Sequence, residues 1–434
     1  MRLRSALVLL AAGLALPTAN PMLVRAAVVQ CPPTPAYTGF FNWYDNASPG
    51  MVQDNLHLLN PGTAPAAGCV SMPGAAPLGF NLAPGQEGYV SFPRGTIGGP
   101  VTVQASARVI ASQRVQYVQS FNEVLASTAA DAAMTSYFNW YDHASPGMFQ
   151  DNIHLLNPGS TTSSGTVTVA GAGSKPFAIS AGGETYITFP EGTIGGPVTV
   201  AVTAGPAVIA SQRVTYYQSF SEIRARTAAM AVGGFFSWYD HASPGMAQDN
   251  IHLFNPGLTT TSGTVSIHNG PSVAYSVPAG QETYVNFPQT TLPWGPVTVA
   301  VNAGPGVIAS QRVQYYQSFS EVWASTGSDE GTKLFFNWYD LASPGMSQDN
   351  LHLVNAASPT VCSHVQCLAS GTITLPGASP IGFSVYPGEE QHYSFPRGTI
   401  GGPVTVTIQP GQAGVLVSQR VTYNQSFTEV PASP

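Results

Sequence analysis

Charge is what this sequence has least of: Asp, Glu, Lys and Arg together make up 8% of its 434 residues, roughly a third of the soluble average. Only two of the 14 basic residues are lysines, Lys175 and Lys333, and the net charge is -7. No basic face is available to follow a phosphate backbone, so nucleic-acid binding is excluded. Long apolar runs are missing as well. Beyond the first segment no stretch approaches the roughly 18 apolar residues that a spanning helix requires, and no membrane insertion is expected once that segment is removed. Extended segments rich in Ala, Glu, Lys and Leu are also absent, which disfavours a helical bundle. What is plentiful is 45 Gly, 37 Pro and many short apolar runs, the composition of a chain of short strands and tight turns.

The first segment reads as an address. Arg2 and Arg4 precede the apolar run from Ala6 to Leu16, and the small residues Ala26 and Ala27 come after it, so residues 1–26 are expected to be a signal peptide and the mature chain to be secreted. The four cysteines, Cys31, Cys69, Cys362 and Cys367, then favour disulfides. Three pairings are formally open. Cys31 with Cys69 would tie the N-terminal arm to the body of the chain, and Cys362 with Cys367 would close a small loop. A zinc knuckle would have to gather all four from opposite ends of the chain, and lipidation at Cys31 lacks the small preceding residue it needs.

Internal repetition organises everything else. Trp-Tyr-Asp occurs at Trp43, Trp140, Trp238 and Trp338, each followed by Ala-Ser-Pro-Gly-Met and then by Asp-Asn-(Leu/Ile)-His beginning at Asp54, Asp151, Asp249 and Asp349. Gly-Pro-Val-Thr-Val and Ser-Gln-Arg-Val come next, the latter with Arg114, Arg213, Arg312 and Arg420, and Gln-Ser-Phe-x-Glu closes each unit at Glu123, Glu222, Glu321 and Glu429. The motifs define four units, spanning 36–127, 134–226, 232–327 and 333–431. Short Ala, Ser, Thr and Gly segments between them suit linkers, and units of this length can bury their own cores, so independent beads are the expected arrangement.

Within the second unit, seven alternating apolar runs are separated by Ser145-Pro146-Gly147, Asn157-Pro158-Gly159, Gly195-Gly196-Pro197 and similar turn chemistry. No helical period is visible. The expected fold class is all-β, four tandem immunoglobulin-like or fibronectin-like antiparallel β-sandwich units. A β-propeller with two blades per unit is the alternative, weakened because the two halves of a unit do not resemble each other.

Eight of the ten aspartates occupy two motif positions, Asp45, Asp142, Asp240 and Asp340, and Asp54, Asp151, Asp249 and Asp349. With His57, His154, His252 and His352, the four arginines, the four closing glutamates and the four tryptophans, they define one candidate polar cluster per unit. Period-two geometry puts Ile153 and Leu155 on one strand face and Asn152 with His154 on the other. One reading is a buried structural network, with Arg213 on Asp142 or Asp151 beside the Trp140 ring. The other is a sugar site repeated four times, since Trp and Tyr faces beside carboxylates, amides and arginine suit sugar recognition, and repetition supplies avidity.

Metal sites are disfavoured, because the Asp and His of Asp-Asn-x-His face opposite sides of a strand and no Asp-x-Asp-x-Asp calcium loop is present. No cofactor is expected. Paired carboxylates alone do not make an enzyme: no Gly-x-Ser-x-Gly elbow is found, and four active sites on four small units would lack a large cleft.

The units also differ. The third reads Leu292-Pro293-Trp294-Gly295-Pro296 where the others have Gly-Gly-Pro, and the fourth carries the Cys362 to Cys367 insertion. The repeated Phe-Asn-Trp-Tyr-Asp, Ala-Ser-Pro-Gly-Met, Gly-Gly-Pro-Val-Thr-Val and Ser-Gln-Arg-Val motifs resemble tandem repeats of exported bacterial surface proteins. That resemblance implies a surface or extracellular setting and no particular activity. The expectation is a non-enzymatic structural or adhesive module at the cell surface or in the extracellular matrix, or else a multivalent carbohydrate-binding protein. Cell-surface or cell-wall glycans and other surface proteins are the candidate partners.

Overall fold

A computed structural model describes residues 31–289, 294–357 and 367–434. The expected signal segment 1–26 and Cys362 fall outside the described residues. Cys31 and Cys69 are joined, with Cα atoms 5.1 Å apart, and Cys367 is disulfide-bonded.

The first unit contributes ten strands: β1 (Tyr37–Phe41), β2 (Tyr44–Asp45), β3 (Met51–Leu59), β4 (Ala66–Ser71), β5 (Leu78–Leu82), β6 (Glu87–Val90), β7 (Ile97–Gly98), β8 (Val101–Ala105), β9 (Ile110–Tyr117) and β10 (Ser120–Leu125). They form two antiparallel four-stranded sheets, in the orders β1-β8-β4-β5 and β10-β9-β3-β6, with β2 and β7 as a separate pair. The two sheet orders recur in all four units. Alternation drives the packing: in β8, Val101, Val103 and Ala105 are buried while Thr102 and Gln104 are not. One core then gathers Phe41, Phe80, Leu82 and Val103 from the first sheet with Leu56, Leu58, Val90 and Ala111 from the second. Each such Phe, Leu or Val side chain contributes about 1.5–3 kcal/mol on full burial.

Two local devices repeat. Between Met51 and Gln53 the register slips, as it does at Met148/Gln150, Met246/Gln248 and Met346/Gln348. This bulge turns Met51 and Met148 inward and leaves Val52 and Phe149 exposed. The second device is a close approach. A Cβ on Gly99, Gly196, Gly295 or Gly402 would lie 2.0–2.1 Å from the carbonyl oxygen of Asn42, Asn139, Ser237 or Asn337, so glycine is obligatory there. Gly98 and Gly401, one residue earlier, have nothing within 4 Å, and that earlier position is the one that becomes Trp294 in the third unit.

In the second unit all seven expected runs are strands, but an eighth long strand, Ser219–Arg224, was not anticipated. At the unit ends, Ser127, Arg226 and Ser325 bridge back to Phe40, Tyr137 and Phe235 of their own units, and Thr128 with Asp131 closes a capping box on a short 3-10 turn. The units are not independent beads: the last strand of each lies against the last strand of the next. Ser120–Leu125 neighbours Ser219–Arg224, which neighbours Ser318–Trp323, then Ser426–Pro431, which returns to Ser120–Leu125. The four units close into a ring with these strands around its axis, the outcome of head-to-tail interfaces whose rotation closes.

Candidate functional site

The repeated polar residues separate into two groups, on opposite faces of the strand that carries Asp-Asn-x-His. The first group looks inward. Asp54 is fully buried and accepts hydrogen bonds from Asp45 N (2.8 Å) and from Gln113 Nε2 (2.8 and 2.9 Å), and Gln113 Nε2 also donates to Trp43 O (3.0 Å). Asp45 Oδ1 in turn accepts from Ala47 N and Ser48 N. The pair thus pins the Trp-Tyr-Asp-x-Ala-Ser-Pro-Gly turn to the sheet. Asp142 with Asp151, Asp240 with Asp249 and Asp340 with Asp349 repeat the arrangement.

The second group looks outward, on the face with Asn55 and His57. His57 Nδ1 lies 2.7 Å from Glu87 Oε1, and His154–Glu184, His252–Glu282 and His352–Glu390 match it at 2.6–2.7 Å. Beside them each arginine meets the glutamate directly across the strand pair: Arg114–Glu123 at 3.2 Å, Arg213–Glu222 at 3.4 Å, Arg312–Glu321 at 3.6 Å and Arg420–Glu429 at 3.7 Å. Each guanidinium also covers the phenylalanine of its own Gln-Ser-Phe motif, at 4.5–4.8 Å from the ring centre. The expectation that Arg213 would pair with Asp142 or Asp151 is therefore corrected. Those aspartates are engaged in their turn, and Glu222 is the arginine's cross-strand partner.

This outward face is covered by the neighbouring unit. Trp43 packs on His154, Trp140 on His252, Trp238 on His352 and Trp338 on His57, with ring centroids 5.5–5.7 Å apart. The residue before each tryptophan completes the joint. Asn42 Nδ2 donates to Ser211 Oγ (3.0 Å), Asn139 Nδ2 to Ser310 Oγ (2.9 Å) and Asn337 Nδ2 to Ser112 Oγ (2.7 Å), while Ser237 and Ser418 share a hydroxyl contact of 2.7 Å. In return, Phe220 inserts beside Met51 and Val115 of the first unit, and Phe319 beside Met148 and Val214 of the second. Their backbone N–H groups donate to Ser120 Oγ and Ser219 Oγ.

Burial sets the protonation. It pushes Asp54, Asp151, Asp249 and Asp349 up to about 7 despite the hydrogen bonds they accept and the arginine of an adjoining unit. It likewise lifts Glu87, Glu184 and Glu282 to about 8 and lowers His57 and His252 to about 3. His154 is lowered by burial and by Arg213 as well, so in the first three pairs burial favours the neutral form of both partners. In the fourth, burial alone would raise Glu390, but contacts with His352 and His392 outweigh it and hold its carboxyl below the usual range.

Two kinds of open space remain. Grooves run along the joints: one of about 500 Å³ is lined by Trp43, Tyr117, Phe149, Asn152, Tyr186 and Arg213, and its counterpart between the third and fourth units by Trp238, Tyr315, Asn350, His392 and Arg420. Phe149 and Tyr186 are more than half exposed there, at 60% and 51%, whereas Trp338 at the closing joint is buried. At the axis, a cavity of about 440 Å³ is lined by all four closing glutamates, Glu123, Glu222, Glu321 and Glu429.

Glu87, Glu184 and Glu282 and the asparagines at the joints had no place in the sequence-based cluster. The glutamates were within reach, because each stands 30 residues after its histidine. No family model and no curated protein matches the chain.

Proposed function

We propose that the chain is a rigid, non-enzymatic structural or adhesive module, exported to the cell surface or extracellular matrix, built of four immunoglobulin-like β-sandwich units closed into a ring. The sandwich reading rests on cores that draw from both sheets of one unit, where propeller blades would share cores with their neighbours. The observation that carries the functional reading is the fate of the repeated polar residues. His57 and Trp338, with their equivalents, are spent on joints between units, and each arginine pairs with the glutamate of its own unit on the face the neighbour covers, so the sequence repeats because the joint repeats. Export is supported by the charged and apolar first segment and by the Cys31–Cys69 bridge.

A second reading keeps the same ring and uses its grooves for glycans. It is favoured by the exposed Phe149 and Tyr186 rings beside Arg213, whose Nη1 is buried without a hydrogen-bond partner among the described residues. An array of cell-wall and surface glycans probed with the full chain separates the two. No saturable binding agrees with the scaffold. Saturable binding that Tyr186→Ala or Phe149→Ala abolishes, without change in melting temperature, replaces it with the lectin.

A further inference from the structure

The geometry points to a site for a divalent transition-metal cation of the zinc class in the fourth unit, formed by His352, Glu390 and His392. One donor atom from each lies within 4.8 Å of the other two. His352 Nδ1 is 2.7 Å from Glu390 Oε1, and His392 Nδ1 is 3.7 Å from the same oxygen. The imidazoles are stacked, with centroids 5.2 Å apart.

Among the described residues, the fourth unit alone has this set. Facing the histidine across the strand pair, the first three units carry Tyr89, Tyr186 and Tyr284, and the fourth carries His392. The histidine–glutamate pair of the other units is kept: His Nδ1 and Glu Oε1 are 2.6–2.7 Å apart in all four. Only in the fourth does a second imidazole, His392, bring its Nδ1 to 3.7 Å from the same carboxylate oxygen. A cation bound there takes two imidazole nitrogens and one carboxylate oxygen that the strand pair already holds together.

Two imidazoles and one carboxylate are a donor set suited to Zn²⁺ and its neighbours rather than to calcium or magnesium, which prefer all-oxygen shells. Three protein ligands leave a coordination position open. Access is available: the His392 side chain is 51% exposed and borders a cavity of about 300 Å³ that also holds His268 and Trp294. Trp294 is the aromatic that the third unit places where the other units have glycine, so both departures from the repeat meet at this one joint.

The test is Zn²⁺ titration of the chelator-stripped full chain against a chromophoric competitor, in wild type, His392→Tyr and Tyr284→His. Tyrosine is what the other units carry at this position, so His392→Tyr has an internal precedent for folding, and its melting temperature checks that directly. Wild type is expected to take up one equivalent, and His392→Tyr to bind at least about tenfold more weakly. Tyr284→His, which places a second imidazole beside His252 and Glu282, is expected to add a second equivalent. Wild type without stoichiometric uptake, or His392→Tyr with unchanged uptake, overturns the site. A Tyr284→His chain that gains nothing overturns the claim that these three donors suffice.

Discussion

Trp338, the last of the repeated tryptophans, packs on His57, the first of the repeated histidines, with ring centroids 5.6 Å apart. The contact joins the fourth unit to the first in the same way that Trp43 joins the first to the second through His154. The fourth unit therefore completes the joint that the first left open.

If that closure holds in solution, Asn337→Ala should destabilise the full chain by about 1–3 kcal/mol, because Ser112 Oγ loses a buried partner. Asn337→Ser should cost less, since Ser237 already makes the third joint by hydroxyl contact. Chemical denaturation measures both. An unchanged midpoint for Asn337→Ala would mean that the ring is open.

Arg213→Ala should cost about 3–5 kcal/mol, because Glu222 is left buried and unpaired. The double variant Arg213→Ala/Glu222→Ala should recover part of that loss, and a double-mutant cycle on the full chain reads the coupling. Strict additivity would show that the pair does not interact in the folded chain.

Stability should fall as pH rises from 6.5 to 8. Asp54, Asp151, Asp249 and Asp349 have folded-state values near 7 against an ordinary 3.8. Their contribution is complete below about pH 4 and is lost as pH rises through 7. Glu87, Glu184 and Glu282 act in the same sense, between 4.5 and about 8. The lowered histidines act oppositely, losing their contribution as pH falls below 6.5 toward 3. Above 6.5 these lowered histidines become neutral in both states, and His392, raised by its contact with Glu390, acts in the same sense as the carboxyls, so the slope is downward. Melting temperatures across this interval should decline, and Asp54→Asn should flatten the decline; a rise would contradict the buried, protonated carboxyls.

The second unit on its own, residues 129–227, presents both halves of a joint with nothing to cover them. It should assemble, with a four-membered ring as the closed product. Light scattering distinguishes this from a monomer. A monomer as stable as the full chain would make the joints incidental.

Much of the unit was legible from alternation and turn residues. The Ile153/Leu155 face does enter the core and His154 does face away from it. Ser219–Arg224 was missed because strand recognition looks for one apolar face and one wet one. Here Ile223 enters the core while Glu222, paired with Arg213, is buried where it borders the axial cavity. A charge pair buried between units is written with the same letters as a solvated strand edge. For the same reason the cluster was assigned to one unit: a single repeat contains both halves of the joint, and nothing in its sequence says that they meet different partners.

The covalent continuity of the ring has an evolutionary consequence. In an assembly of four identical subunits, any substitution appears at every interface or at none, so a change that one position tolerates must be tolerated fourfold. Fusion into one polypeptide lifts that constraint. One copy can carry His392 where the others have tyrosine, another Trp294 where the others have glycine, and one a cysteine loop, while the remaining copies keep their common residues. The architecture is fourfold, and linkage allows one sector of it to differ.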